Sequence, residues 1–327
     1  MDMVCRIKFD GEVYSMIYKH LFKGIECIIL ENKTLKLVVL PSIGGKIVSI
    51  YNKEKNFELL FQNKDTEYKH PKLNDNFAEF DASGFDDAFP TIDKSEINYC
   101  GKKITYPDHG EIWSSSLDYK ILDNEVELSY LSSILPYNYK KTISLDNETI
   151  TIKYHIENTS TESFPCIWAM HCLVNCEENM DLTFPKTTTE ILNVHDSINL
   201  GKKNTIHQYP TTKSISGKDY YLNKVGKKSY NNTEKYYVNG PVEEGKCSIY
   251  YPNHNILYSV NYDVDKMPYL GFWLTEGGFR GDYNCAFEPT NGFYDDIETA
   301  KNNNKLFYLS PDKPLDFTIS LTLKNIQ

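Results

Sequence analysis

The sequence predicts an all-β protein, a large antiparallel β-sandwich with very few short helices, and two observations carry that expectation. Apolar and polar residues alternate at period two from end to end, whereas sustained helical periodicity is scarce. The 327 residues are 40% hydrophobic and 24% charged, enough to enclose a substantial core and too apolar for disorder.

Taken in order, residues 26–30 and 35–40, the turn Pro41-Ser42-Ile43-Gly44-Gly45 and residues 46–52 predict a strand meander. Gly44-Gly45 serves the turn, since no G-x-G-x-x-G is present and no helix follows. Strands are expected at 126–132, 247–251, 256–262, 268–275 and 283–288. The clearest hairpin spans 141–157: Ile143 and Leu145 alternate with polar residues, Asp146-Asn147-Glu148 turns the chain, and Ile150, Ile152, Tyr154 and Ile156 alternate again. Leu315, Phe317, Ile319, Leu321 and Leu323 place the last strand inside a sheet. Residues 201–238 are polar with little alternation and are expected to form a long excursion, while 295–303, with Asp295, Asp296 and Glu298 at its front, is the one helical stretch. No repeat or linker divides the chain, so residues 1–327 are expected to form a single domain.

With 35 basic and 45 acidic residues interspersed, the formal charge of −10 disfavours phosphate backbones and anionic lipid. Nucleic acid and membrane are therefore not expected as partners. The first residues lack the basic start and apolar stretch of a secretory signal, which points to the cytoplasm. Eight cysteines without a C-x-x-C pair predict reduced thiols, and the group Cys166, His171, Cys172 and Cys176 fits no structural zinc spacing, so no metal is expected.

Four segments put ionisable side chains where strands meet turns. FDASGFDDAFPT (80–91) carries Asp81, Asp86 and Asp87, which suit hydroxyl groups, a cation or a solvated loop. In YPDHGEIW (106–113), His109 and Glu111 flank Gly110 and Trp113 follows. FPCIWAMHCLVNC (164–176) ends an apolar run with His171, which taken alone reads as a hydrogen-bonded core residue. FEPTNGFYDD (287–296) delivers Glu288 at the end of an apolar strand, where a carboxylate needs a partner or a function, and Pro289 forbids the next ladder hydrogen bond. One carboxylate and two imidazoles suit proton transfer near neutral pH. Aromatic residues, 13% of the chain, could supply the flat platforms on which sugars stack.

In the same order these segments resemble the aldose 1-epimerase (galactose mutarotase) family and its loosely defined bacterial branch. The resemblance runs over nearly the whole chain: LENKTLKLVVLPSIGGKIVSIYNKEKNFELLF, GFDDAFPT, PDHGEIW, WAMHCLV, MPYLGFWLTEGG and FEPTNG. It implies the galactose mutarotase-like supersandwich with a sugar cleft on its concave side, and interconversion of the α and β anomers of a free aldose by acid/base ring opening and closure. On that resemblance Glu288 matches the catalytic base, His171 the catalytic acid and His109 the histidine that contacts the sugar and supports proton transfer. Asp86 or Asp87 would then hold hydroxyls and Trp113, Trp273 or Phe293 form the apolar wall. No cofactor or metal is required, the partner is a small sugar, and the protein would be a monomer or homodimer.

The chain departs from that family in its sugar-reading residues. No arginine lies between Tyr51 and Asp108, and Lys235 is the nearest candidate for a substrate-binding aspartate of the family. Arg280 is the clear cationic neighbour of the expected cleft. Three other functions share these residues: a hexose-6-phosphate mutarotase, which needs a cation cluster; a glycosidase pairing Glu288 with Glu111, Asp86 or Asp87; and a non-catalytic carbohydrate-binding protein.

Overall fold

The computed structural model describes residues 5–9, 12–62, 64–80 and 82–326. It is 52% strand and 5% helix, as the period-two alternation requires. Among the described residues, fourteen strands join in one sheet and eight in a second. A continuous apolar cluster unites them, with Ile47, Phe85, Phe272 and Phe287 from the large sheet meeting Ile143, Ile152, Val260 and Ile319 from the smaller one. These are the inward halves of alternating strands, the arrangement that packs two sheets face to face.

The 141–157 hairpin forms as expected. Tyr137–Asp146 and Thr149–Asn158 pair with Ile143 opposite Ile152 and Leu145 opposite Ile150. Leu315–Asn325 lies between Thr149–Asn158 and Ile256–Tyr262, so the last strand is an interior member of the smaller sheet. The helical stretch is realised as Ile297–Asn302, whose N-cap Asp296 accepts from the Thr299 amide at 2.7 Å. Asp81 lies outside the described residues. Cys166, Cys172 and Cys176 are free thiols, as are Cys27, Cys100, Cys247 and Cys285.

Five strands of the large sheet position the site. In chain order they are β1 (Phe85–Ala88), β2 (Ala169–Cys172), β3 (Asn232–Val238), β4 (Tyr269–Glu276) and β5 (Tyr283–Thr290). In space they run β1-β2-β5-β4-β3. Two expectations need correcting here. The 201–238 stretch is not wholly an excursion, because β3 is a full member of the sheet; Asn232 and Glu234, on the same side as Tyr236, are buried yet polar, which hid the alternation. Strand β5 also continues through Pro289 to Thr290, opposite Leu270 and Tyr269. Proline is tolerated where the ladder from β5 to β2 is reduced to the single pairing of Ala169 with Thr290.

An ion pair lies in the sandwich interior. Asp87, on the core side of β1, accepts from Lys141 at 2.6 Å and from the Tyr154 hydroxyl at 2.7 Å, and both charged side chains are at most 2% exposed. Removing one partner strands a charge in the core. Lys141→Met is expected to lower the unfolding free energy by about 3–5 kcal/mol in urea denaturation. A loss below about 1 kcal/mol would show that Asp87 does not depend on this partner.

Candidate active site

The face of the large sheet turned away from the smaller one carries a cavity of about 610 Å³, within the usual range of about 300–1,000 Å³ for small-molecule sites. Strand register explains its lining. Glu288, Gly271 and Tyr237 form one cross-strand row, and Ala286, Trp273 and Lys235 form the next. Their sequence neighbours Phe287, Phe272 and Tyr236 point the other way, into the sandwich core. On β2, His171 reaches the cavity while Met170 and Cys172 join the core. A side chain at 271 would crowd this row: a Cβ there would stand 3.0 Å from the Tyr237 ring and 3.3 Å from Glu288 Oε2.

His109 arrives on a turn. Its φ of 56° and the 77° of Gly110 are left-handed, and a Cβ at 110 would collide with the Phe89 carbonyl at 2.1 Å, so only glycine fits. Glu111 fastens this turn to the smaller sheet. Its carboxylate accepts from the hydroxyls of Tyr130, Ser132, Ser133 and Tyr137 and from the Ser133 amide, all within 2.8 Å. Asp108 pairs with His109 Nδ1 at 2.9 Å. Phe77, on a short helix (Phe77–Phe80), stacks on the His109 ring at 4.1 Å and meets the His171 ring edge-on at 5.0 Å, so one phenyl ring orients both imidazoles.

Electrostatics set the protons. Burial raises the Glu288 carboxyl above its ordinary range, an effect that Lys235 opposes and Asp295 reinforces. Burial, followed by the charges of His109, Lys235 and Lys46, pushes His171 well below the usual histidine value. Burial works against the Lys235 ammonium, but Asp295 and Glu288 overcome it and hold the group charged. Burial alone would raise Asp108, yet its hydrogen bond to His109 and that residue's charge leave it below the usual range. Glu288 Oε2 and His171 Nδ1 are buried without a hydrogen-bond partner among the described residues.

The structure thus brings together Glu288, His171, His109, Lys235 and Trp273 around one cavity. It does not bring Asp86, Asp87, Glu111, Trp113 or Phe293 to the lining. Asp86 is paired with Lys46 at 2.7 Å, and Trp113 donates from its indole to the Asp108 carbonyl behind Phe77. Phe293 packs between Tyr237, Tyr269 and Tyr294 under the Lys305 ammonium. Arg280 also lies off the lining. Its Nη1 donates to the Ala78 carbonyl at 2.6 Å, tying the Phe77 helix to the turn that carries Phe279. Sequence reasoning missed Phe77, His195, Phe279, Asn284 and Asp295 as lining residues. Only Asp295 carried a signal, as a paired acid beside the FEPTNG segment.

With this geometry in hand, the class of fold can be stated: it is that of galactose-mutarotase-like proteins. The Slr1438 protein of Synechocystis sp. PCC 6803 is similar at TM-score 0.70 and 16% identity, over 94% of this chain and 99% of that one. A galactose mutarotase related enzyme from Lactobacillus acidophilus is similar at TM-score 0.65 and 16% identity, over 95% and 99%. A galactose mutarotase-like protein from Lactobacillus casei ATCC 334 is similar at TM-score 0.68 and 18% identity, over 91% and 100%. The chain belongs to the family described as Domain of unknown function (DUF5107), whose model matches residues 13–276. No curated protein matches it. The resemblance to aldose 1-epimerases therefore holds at the level of the fold.

The Arg280 contact with Ala78 is open to measurement. A hydrogen bond from a charged donor is worth about 1.5–3 kcal/mol, or roughly ten- to a hundredfold in an opening equilibrium. Arg280→Gln is expected to speed amide hydrogen exchange in residues 77–80 by about tenfold or more while leaving β5 unchanged. Equal exchange in both proteins would show that Arg280 does not hold this helix.

Proposed function

We propose that the protein is a mutarotase acting on a free, uncharged aldose, working as one unit of the length described. The observation that carries this reading is the convergence of Glu288, His171 and His109 on a single cavity, two of them with buried atoms that have no hydrogen-bond partner among the described residues. Anomer exchange moves a proton from the C1 hydroxyl to the ring oxygen, opens the C1–O5 bond, and reverses both transfers after rotation about C1–C2. Glu288 takes the hydroxyl proton, protonated His171 gives its proton to the ring oxygen, and His109 holds the open-chain oxygen. Trp273 and Phe279, edge to face at 5.5 Å, form the apolar wall.

The protonation preferences suit this exchange. In water the pair would rest as carboxylate and imidazolium, about two units apart. Burial raises Glu288 and lowers His171, so their proton affinities move toward each other. A proton passed through the sugar from one to the other then changes less energy than it would in solvent. The continuous core from Ile17 to Leu323 supports the single-unit reading.

A second reading has a specific observation in its favour. Lys203, exposed at the rim with its ammonium 5.1 Å from the Tyr294 ring, joins Lys235 in lining the cavity and could meet a phosphate. Against it, Lys235 is engaged by two carboxylates, and Asp93, Asp108 and Asp196 also line the cavity. A glycosidase reading loses support because Asp86, Asp87 and Glu111 lie outside the cavity.

Polarimetry on freshly dissolved α-glucose, α-galactose and glucose 6-phosphate tests these readings. Glu288→Gln and His171→Asn are each expected to lower kcat by about a hundredfold or more. Unchanged rates would remove the pair. Sugar binding without any acceleration by the parent protein would make it a carbohydrate-binding protein instead.

A further inference from the structure

Lys235 was expected to read substrate, but its surroundings indicate another task. Its Nζ lies 3.1 Å from Asp295 Oδ2 and 3.6 Å from Glu288 Oε2, with Lys235 13% and Glu288 2% exposed. The other oxygen of Asp295 accepts from the Tyr237 hydroxyl at 2.7 Å. Tyr237 and Glu288 occupy the same cross-strand row on either side of Gly271, and Lys235 stands in the adjacent row beyond Trp273 and Ala286. The three side chains therefore meet over the open position left by a glycine.

We infer that Lys235 is a positioning residue, held in place by Asp295 and Tyr237, that keeps Glu288 ionised by facing its buried oxygen Oε2. This inference rests on the mutarotase reading above. The two distances distinguish the roles. At 3.1 Å the ammonium donates a hydrogen bond to Asp295, which anchors it, whereas at 3.6 Å it acts on Glu288 Oε2 chiefly through its charge.

The charges facing Glu288 make this cation necessary. Lys235 comes from β3, Asp295 from the loop after β5, His109 from its turn and His171 from β2, with Asp93 next to Asp295 at the rim. Two carboxylates, Glu288 and Asp295, pair with one lysine, and Asp93 adds a further negative charge nearby. Without it, a fully buried Glu288 beside Asp295 would keep its proton into the neutral range and could not act as a base. The directions of the Glu288 and Lys235 shifts agree with this mutual dependence.

The test reads Glu288 directly as well as through turnover. Carboxyl ¹³C NMR, with the Glu288 signal assigned by its loss in Glu288→Gln, gives the titration of that group in the whole protein. Lys235→Met is expected to move the titration up by about one to three pH units, and the acid limb of the mutarotation rate by the same amount. Lys235→Arg is expected to restore both toward the parent. Asp295→Asn is expected to move the titration down, because it removes a negative neighbour and frees Lys235 for Glu288. That opposite shift keeps the test usable if one variant does not fold. An unmoved Glu288 titration, or a loss of rate equal at every pH, would overturn the inference. If the titration moves as expected but the parent protein shows no mutarotation, the charge relationship stands and the proposed activity falls.

Discussion

The site depends on side-chain alternation across β3, β4 and β5. Glu288 and Lys235 face the cavity only because Phe287 and Tyr236 face the smaller sheet. A slip of one residue in any of these ladders would drive a carboxylate or an ammonium into the apolar core. The apolar residues thus fix the register that aims the polar ones. A sheet covered on one face can hold a precise polar arrangement on the other without any of its reactive groups contributing to stability.

Carboxylates serve two different purposes in this fold. Asp87 with Lys141 and Tyr154, and Glu111 with its hydroxyl partners, lie inside the sandwich or at its seam and are saturated by donors. Such groups specify geometry: Glu111 anchors the turn that presents His109. Glu288 differs because it lines the cavity and faces a lysine at 3.6 Å rather than a full set of donors.

Membership of a family without an assigned function, combined with the mutarotase-like fold, places the weight of functional argument on the cavity itself. Here the chain has its own character. Lys235 comes from a central strand and is surrounded by Glu288, Asp295 and Tyr237. The Phe77 helix then closes one side and orients both histidines.

The all-β class, the 137–158 hairpin, the interior C-terminal strand and the short helix at Ile297–Asn302 were legible in the sequence, because alternation and capping are local and each strand declares its buried face. Glu288, His171 and His109 were legible as unusual polar residues beside apolar runs or turns. Strand β3 was not, since two of its core-facing positions are the polar Asn232 and Glu234, so no apolar face shows in the sequence. Nor could the sequence separate Asp86, Asp87 and Glu111 from cavity residues: whether a carboxylate meets a lysine, a ring of hydroxyls or open space depends on chain segments tens of residues away. The residues themselves determined which groups could transfer protons. Only the packing of one sheet on another decided which of them face a common space, because that choice depends on long-range register and on the partners that burial imposes.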